Sequence, residues 1–534
     1  MRGIHKSAWL LAIGSGILQV LVFPRPGLSF LCWVALAPLI YAILRAREGD
    51  ATQLLTDEAF SYLVPARPWQ GFLLGTLSGT LFYLGSCYWV VTVMHQHGGI
   101  SRGVSVLLML AFAFVLGLHH GAFGLLLAWA ARSRPGYNRR ALALAPFFWV
   151  SVEMLRAYGV SYPWQLLGTA QVNNIPLARI ASVTGVWGVS FEIALVNAAF
   201  AAIFLVPRAR RLAMLLAALA AAVALQSTQL IKLEPFPAEY SATLVQQNVP
   251  LDFDWTAQSY EQKLDEFEQM SRMPQQGGAT QVVVWPEAPT PFFTNDTRFV
   301  ATTARIAREN HAYVIAGSLG EPPPGNTGRE DVFNSAVLVA PDGNPAGRYD
   351  KIHLVPFGEY IPFARWLRFA QSLTHAAGTF LRGTRREPLL LGGHKYGVFI
   401  CYESIFPSEV RVFAQRGAEV FVNISNDTWF GDGGAPWHHL DIARMRAIEN
   451  HRWLLRCTNS GITAVIDPYG RVTQQLPRKQ ALSLNANYGL MTGVTFYTRC
   501  GDWFPALCVI ISLAGLLWRR HGAVAELRPQ LVKE

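Results

Sequence analysis

Apolar residues in this chain gather into eight long runs, at 8–23, 28–44, 71–94, 104–131, 141–158, 183–206, 212–225 and 504–518. Each run approaches the ~20 residues with which an α-helix crosses a hydrocarbon layer of about 30 Å. The pattern predicts eight transmembrane helices, seven before a long intervening segment and one after it. Arg2 and Lys6 precede the first run as in a signal peptide, but no small-residue cleavage site follows and a second run begins almost at once. The first run is therefore expected to remain as a helix. Between runs seven and eight, from about Leu233 to Tyr497, short β-branched or aromatic stretches alternate with polar helical ones and with Gly, Pro, Asn and Asp turns. Strands are expected at 243–246, 282–285, 313–317, 335–339, 397–400, 420–424 and 464–466, with helices at 259–270 and 437–451 and a turn at Ala340-Pro341-Asp342-Gly343. This segment reads as an α/β domain. The expected divisions are a bundle at 1–230, a catalytic domain at 231–498, and an eighth helix with its tail at 499–534.

Charge placement orients the bundle. One set of loops and ends holds Arg2 and Lys6; Arg45, Arg47 and Arg67; Arg132, Arg134, Arg139 and Arg140; Arg208, Arg210 and Arg211; and Arg519 and Arg520. The alternate short loops hold only Arg25, Arg102, Arg156 and Arg179. Because Lys and Arg mark cytoplasmic loops, both termini are expected in the cytoplasm and the α/β segment outside it. Composition agrees with a membrane protein: 51% of the 534 residues are apolar, 15% are charged, and there are 16 Trp and 31 Phe, with mean hydropathy +0.24. The net charge of +10 is scattered at the ends of apolar runs, which fits a membrane and excludes the single basic stripe of a nucleic-acid binder. The six cysteines are too dispersed for a zinc site or a disulfide framework.

Three strand ends in the α/β segment deliver reactive residues. Glu287 closes Val-Val-Val-Trp-Pro-Glu, where a carboxylate straight after a buried strand can act as a base. Lys351 lies in Gly-Arg-Tyr-Asp-Lys-Ile-His-Leu-Val-Pro-Phe-Gly-Glu-Tyr, an apolar and Pro/Gly-rich context that predicts an ordered loop and a fixed ammonium able to stabilise an oxyanion. Glu359 in that stretch is a second carboxylate. Cys401 follows the run 397–400 and precedes Tyr402-Glu403-Ser404, so a strand hands a thiol to a sharp turn. Singly, these are a loop cap, a solvated surface charge and an inert buried thiol. A lysine near Cys401 is expected to lower the thiol pKa below its usual value of about 8.5. Cys457, in Leu-Leu-Arg-Cys-Thr-Asn, reads as a buried strand thiol.

Taken in order, Trp-Pro-Glu, Tyr-Asp-Lys-Ile-His-Leu-Val-Pro-Phe-Gly-Glu-Tyr and Ile-Cys-Tyr-Glu resemble the Glu-Lys-Cys triad of the nitrilase superfamily, and Asn423-Ile424-Ser425-Asn426-Asp427-Thr428-Trp429-Phe430 fits as well. Set within eight apolar runs, the domain resembles that of the apolipoprotein N-acyltransferase family, which Tyr-Pro-Trp-Gln-Leu-Leu-Gly at Tyr162 to Gly168 also looks like. The departure is the long polar stretch from Arg45 to Arg67 between the second and third runs.

The resemblance implies a membrane α-helical bundle carrying an α-β-β-α sandwich in a bacterial inner membrane, with the sandwich in the periplasm. It implies a ping-pong acyl transfer, the last step of lipoprotein maturation, with Cys401 as nucleophile, Glu287 as base and Lys351 as oxyanion partner. Glu359 would orient Lys351 or the amine, while Tyr402 and Glu403 would supply a backbone donor and a supporting contact. A phosphatidylethanolamine-like phospholipid would be the acyl donor and a diacylglyceryl apolipoprotein the acceptor, with no metal or other cofactor.

A membrane-bound amidase with water as acceptor is the enzymatic rival. A transporter is the other, on Glu153, Glu192, Asn197 and the pair His119-His120, but these form no recognisable relay and the runs show no inverted repeat. His438-His439 is expected at a helix start or cleft wall, since adjacent helix positions do not face one metal. From Tyr360 to Phe380, apolar Ile361, Phe363, Trp366, Leu367, Phe369 and Leu373 interleave with Arg365 and Arg368, which predicts an interfacial arm.

Overall fold

The computed structural model describes residues 3–49, 62–131, 137–206, 208–272, 281–288, 291–322, 332–360 and 380–517. The predicted arm at 361–379 and the basic residues Arg2, Arg132, Arg134, Arg519 and Arg520 lie outside them.

The first 230 residues are helical apart from loops and one short strand pair. The apolar helices are α1 (Lys6–Val22), α2 (Ser29–Leu44), α3 (Pro68–Ser86), α4 (Trp89–His97), α5 (Arg102–Ala130), α6 (Asn138–Val160), α7 (Val186–Ile203) and α8 (Ala209–Leu230). Among the described residues four, α5 to α8, are long and apolar enough to cross a membrane, and α3 with α4, bent by 54°, would make a fifth. Length and apolarity thus mark five spans at most, fewer than the eight expected; α1, α2 and α13 (Trp503–Leu517) are apolar but shorter. Pro68 starts α3, where its missing N–H costs nothing. Helices α3 and α5 pack backbone to backbone through glycine: a Cβ on Gly71 would meet Gly124 O at 2.3 Å, and one on Gly75 would meet His120 O at 2.1 Å. Small residues at such seams let dispersion contacts replace the hydrophobic effect that lipid does not supply.

The α/β segment forms two sheets. One has strands β1 (Tyr240–Gln246), β2 (Gln281–Val284), β3 (Tyr313–Gly320), β4 (Val332–Val339), β5 (Pro345–Asp350), β6 (Phe380–Leu381) and β13 (Leu482–Tyr488), in the order β13-β1-β2-β3-β4-β5 with β6 beside β4. The other has β7 (Leu389–Leu391), β8 (His394–Ile400), β9 (Val420–Ser425), β10 (Trp453–Thr458), β11 (Ala464–Ile466) and β12 (Val472–Gln475), in the order β12-β11-β10-β9-β8-β7. Strands β1, β2 and β3 run parallel, as do β8, β9 and β10.

Alternation along each strand builds the layers. Val282 and Val284 face the core shared by both sheets, while Val283 and Trp285 face α9 (Ala257–Met270) and α10 (Thr297–Asn310). The second sheet is covered by α11 (Pro407–Gln415) and α12 (Ala435–Asn450). The result is the expected α-β-β-α sandwich.

Helix α12 has two apolar sides. Leu440, Ala443 and Ala447 join the sandwich core, and Ile442, Met445 and Ile448 join the core of the helical bundle. At its end Glu449 Oε1 accepts from Val186 N, the first residue of α7, at 2.9 Å. The bundle and the sandwich therefore share this helix.

Candidate active site

Strand direction brings the three predicted residues together. Glu287 follows β2, Lys351 follows β5 and Cys401 follows β8, each at a strand's C-terminal end. Two antiparallel steps, β3 to β4 and β4 to β5, return β5 to the direction of β2, so both ends open on one edge. Side chains there are buried: Lys351 is 1% exposed, Glu287 7% and Cys401 8%.

Lys351 Nζ donates to Glu287 Oε1 and to Glu359 Oε1, both at 2.9 Å. Asn334 Nδ2, from β4, donates to the same two oxygens at 2.8 and 2.9 Å. The far oxygens are held by backbone: Asn426 N donates to Glu287 Oε2 and Val355 N to Glu359 Oε2, both at 2.8 Å. Burial alone would lower the Lys351 pKa, but the two carboxylates outweigh it and hold the ammonium charged well above the usual lysine range. Glu359 is in direct hydrogen-bond contact with Lys351.

Cys401 has φ 51°, a left-handed backbone that a non-glycine residue occupies only under constraint. Burial pushes its thiol up from the ordinary range, Glu287 adds to the rise and Lys351 opposes it. The expected lowering by lysine is corrected here, because desolvation of the thiolate is the larger effect.

Glu403 joins the two loops. Its Oε2 accepts from Ile400 N at 2.7 Å, and its Oε1 accepts from Ile352 N at 2.6 Å, His353 N at 3.1 Å and Tyr349 Oη at 2.8 Å. One carboxylate therefore fixes the backbone before Cys401 and the backbone after Lys351. Tyr402 turns the other way, its hydroxyl donating to Ser161 O of the bundle at 3.4 Å.

Sequence reading missed Asn334, Asn426 and the buried group behind the cysteine. Asn334 is a lone amide in the strand Val-Phe-Asn-Ser-Ala-Val-Leu-Val, and that polar interruption was the available signal. Behind Cys401, Asp427 accepts from Arg456 Nη2 at 2.6 Å and from Ser425 Oγ at 2.8 Å, with His439 Nδ1 at 3.0 Å. The guanidinium and imidazole hold this carboxyl well below the usual range against the opposing effect of burial. His439 is wholly buried, whereas His438 faces Gln165 of the bundle at 3.0 Å. The two adjacent rings therefore meet different partners, Gln165 and Asp427. Cys457 lies in β10 as expected, donating to Val245 O and Val284 O at 3.3 and 3.2 Å.

A buried ammonium near a carboxylate and a thiol is a grouping that can carry acyl transfer. Comparison with known proteins identifies the family. The carbon-nitrogen hydrolase family matches residues 241–485, and the apolipoprotein N-acyltransferase N-terminal domain matches residues 15–199. An apolipoprotein N-acyltransferase of Geobacter metallireducens is 33% identical over 530 residues, covering 97% of both chains. Another, of Azotobacter vinelandii, is 31% identical over 552 residues, covering 99% of both.

Proposed function

The chain belongs to the apolipoprotein N-acyltransferase family, and from that premise we propose that Cys401 carries a fatty acyl group from phospholipid to the α-amine of a diacylglyceryl-cysteine. Glu287 takes the thiol proton as Sγ bonds to the ester carbonyl carbon of a phosphatidylethanolamine-like donor. Lys351 meets the oxyanion. The ester C–O bond then breaks, Glu287 returns the proton to the departing alkoxide, and lysophospholipid leaves. In the second half the amine attacks the thioester, the C–S bond breaks, and the amine's proton passes through Glu287 to the thiolate. Splitting the transfer this way replaces one hard step with two easier ones. Glu359 orients Lys351, Glu403 fixes the two loops, and Tyr402 meets the bundle.

The observation that carries this reading is the convergence of Glu287, Lys351 and Glu359 beside Cys401 on a domain whose helix α12 is shared with the apolar bundle. A tethered amidase needs one span, whereas a bundle lets acyl chains enter from the side. The eight spans expected from the sequence would need the shorter apolar helices α1, α2 and α13 to cross beside α5 to α8 and the bent pair α3 with α4, with the short apolar helix Ile175–Thr184 left outside the count. With both termini cytoplasmic the sandwich is periplasmic, and the divisions at 1–230, 231–498 and 499–534 follow. The test is to incubate the purified protein with acyl-labelled phospholipid. A hydroxylamine-sensitive label on the peptide containing Cys401 is expected; label elsewhere, or none, would overturn the assignment.

A further inference from the structure

Cys401 leaves β8 with φ 51°, a left-handed conformation that a non-glycine residue keeps only where neighbours impose it. Glu403 holds the residue before it through Ile400 N. The carbonyl of Cys401 itself meets one side chain, His439, whose Nε2 lies 3.1 Å from it and 2.8 Å from Ser404 Oγ. That ring is fixed at its other end by Asp427 Oδ1 at 3.0 Å, and Asp427 is fixed by Arg456. All of these side chains are buried. Nδ1 faces both Asp427 Oδ1 and the guanidinium of Arg456, whose Nη2 lies 3.1 Å away; with Nδ1 accepting from Arg456, Nε2–H donates to the Cys401 carbonyl.

The face of the ring is held from the membrane side. Trp164, 1% exposed, packs tilted against His439 with ring centroids 5.7 Å apart and planes 32° apart, and Phe430 meets the ring edge-on at 5.8 Å. Trp164 belongs to the loop after α6, and hydrogen bonds tie that loop to the bundle. Arg156 Nη1 donates to Trp164 O at 2.6 Å, Leu167 N to Glu153 Oε1 at 2.7 Å, and Gly168 N to Ser190 Oγ at 2.8 Å. A contiguous path of packed and hydrogen-bonded groups therefore runs from α6 and α7 through Trp164 and His439 to the backbone of the cysteine.

We propose that His439 is a positioning residue that fixes the Cys401 turn, and that Trp164 seats it, so that the helical bundle forms part of the scaffold of the nucleophile. This rests on the reading of Cys401 as nucleophile. His439 does not touch the reacting atoms; it sets where Sγ points relative to Glu287 and Lys351. A misplacement of about 1 Å can cost about a hundredfold in rate, so the effect belongs to the acylation rate and not to donor binding.

The experiment uses the full chain in detergent and compares His439→Leu, His439→Gln, Trp164→Leu and Trp164→Phe. Two rates are read at Cys401: acylation by p-nitrophenyl acetate and alkylation by iodoacetamide. The leucine variants are expected to acylate about ten- to a hundredfold more slowly with KM nearly unchanged. Glutamine, whose amide reaches the same carbonyl and hydroxyl, and phenylalanine, which still backs the ring, are expected within about threefold of the wild type. Wild-type rates in His439→Leu, or equal losses in His439→Leu and His439→Gln, would overturn the proposal. If His439→Leu does not fold, the split between the two Trp164 variants decides. Alkylation needs no acyl donor, so failure of the wild type to acylate would sink the functional reading, while the order of alkylation rates would still judge the positioning role.

Discussion

Replacing Lys351 with methionine keeps most of the side-chain volume and removes a charge that lies 2.9 Å from carboxylate oxygens of both Glu287 and Glu359. At an effective dielectric of about 20, each contact at that distance corresponds to about 6 kcal/mol of attraction, much of it offset by desolvation. Removing one partner of a buried pair costs about 3–5 kcal/mol, because the remaining charge stays buried. Here the carboxylates keep Asn334 Nδ2 and the backbone N–H groups of Asn426 and Val355. The expected loss is therefore near 3 kcal/mol, read as a lower Tm. Acylation should fall separately, by about 100- to 1,000-fold, since the oxyanion loses its cation. Single-turnover labelling of Cys401, run well below the Tm of the variant, separates the two effects. A folded Lys351→Met protein that acylates Cys401 within a few-fold of the wild type would refute the role assigned to the lysine.

Cys457→Ala should remain active, losing only about 0.5–3 kcal/mol of stability, because its thiol is spent on Val245 O and Val284 O within the sheets; loss of acyl-enzyme in that variant would contradict this. Glu409 is held down to about 2 by His353 and Arg386 against the opposing effect of burial. Because the folded pKa is depressed, its stabilisation is present above the ordinary carboxylate value of about 4.3 and is lost as pH falls toward 2. Wild type and Glu409→Gln should accordingly differ in Tm at pH 6 and converge in strong acid, whereas a constant difference would contradict the ion pairs. A reporter active only outside the cytoplasm should work when fused near Pro250 and fail near Gly136 or after Arg520; activity at Gly136 would invert the topology.

The sandwich was legible where apolar strands stood between turn residues, as at Val282 to Val284 and Val420 to Ile424. Strand β13, Leu-Ser-Leu-Asn-Ala-Asn-Tyr, was not among the expected strands although it alternates apolar and polar residues as a half-buried strand does; Asn485 on its polar side accepts from Thr243 Oγ1. Helix α10 escaped because Thr302 and Thr303 lie on its buried side and dilute the apolar stripe. Glu287 and Cys401 could be singled out because each follows an apolar strand run, and Lys351 because of the apolar and Pro/Gly-rich stretch after it. For Asn334 the sequence offered only a polar interruption in its strand and for Asp427 only its place in the motif from Asn423 to Phe430; their contacts with Glu287 and Arg456 follow from the sheet order, which brings distant residues together. The pKa of Cys401 was misjudged for a related reason: proximity to a lysine can be guessed from motifs, but the depth of burial that outweighs it follows from the packed domain.

The central claim is that the acyl group on Cys401 is delivered to an amine. The most direct measurement is to load the protein with labelled phospholipid, remove the donor, and follow the thioester by mass spectrometry with and without a diacylglyceryl-cysteine peptide. The account predicts a thioester that persists in water and disappears on adding the peptide, with the label recovered as an N-terminal amide. Release of free fatty acid at the same rate with or without peptide would contradict it and identify a hydrolase.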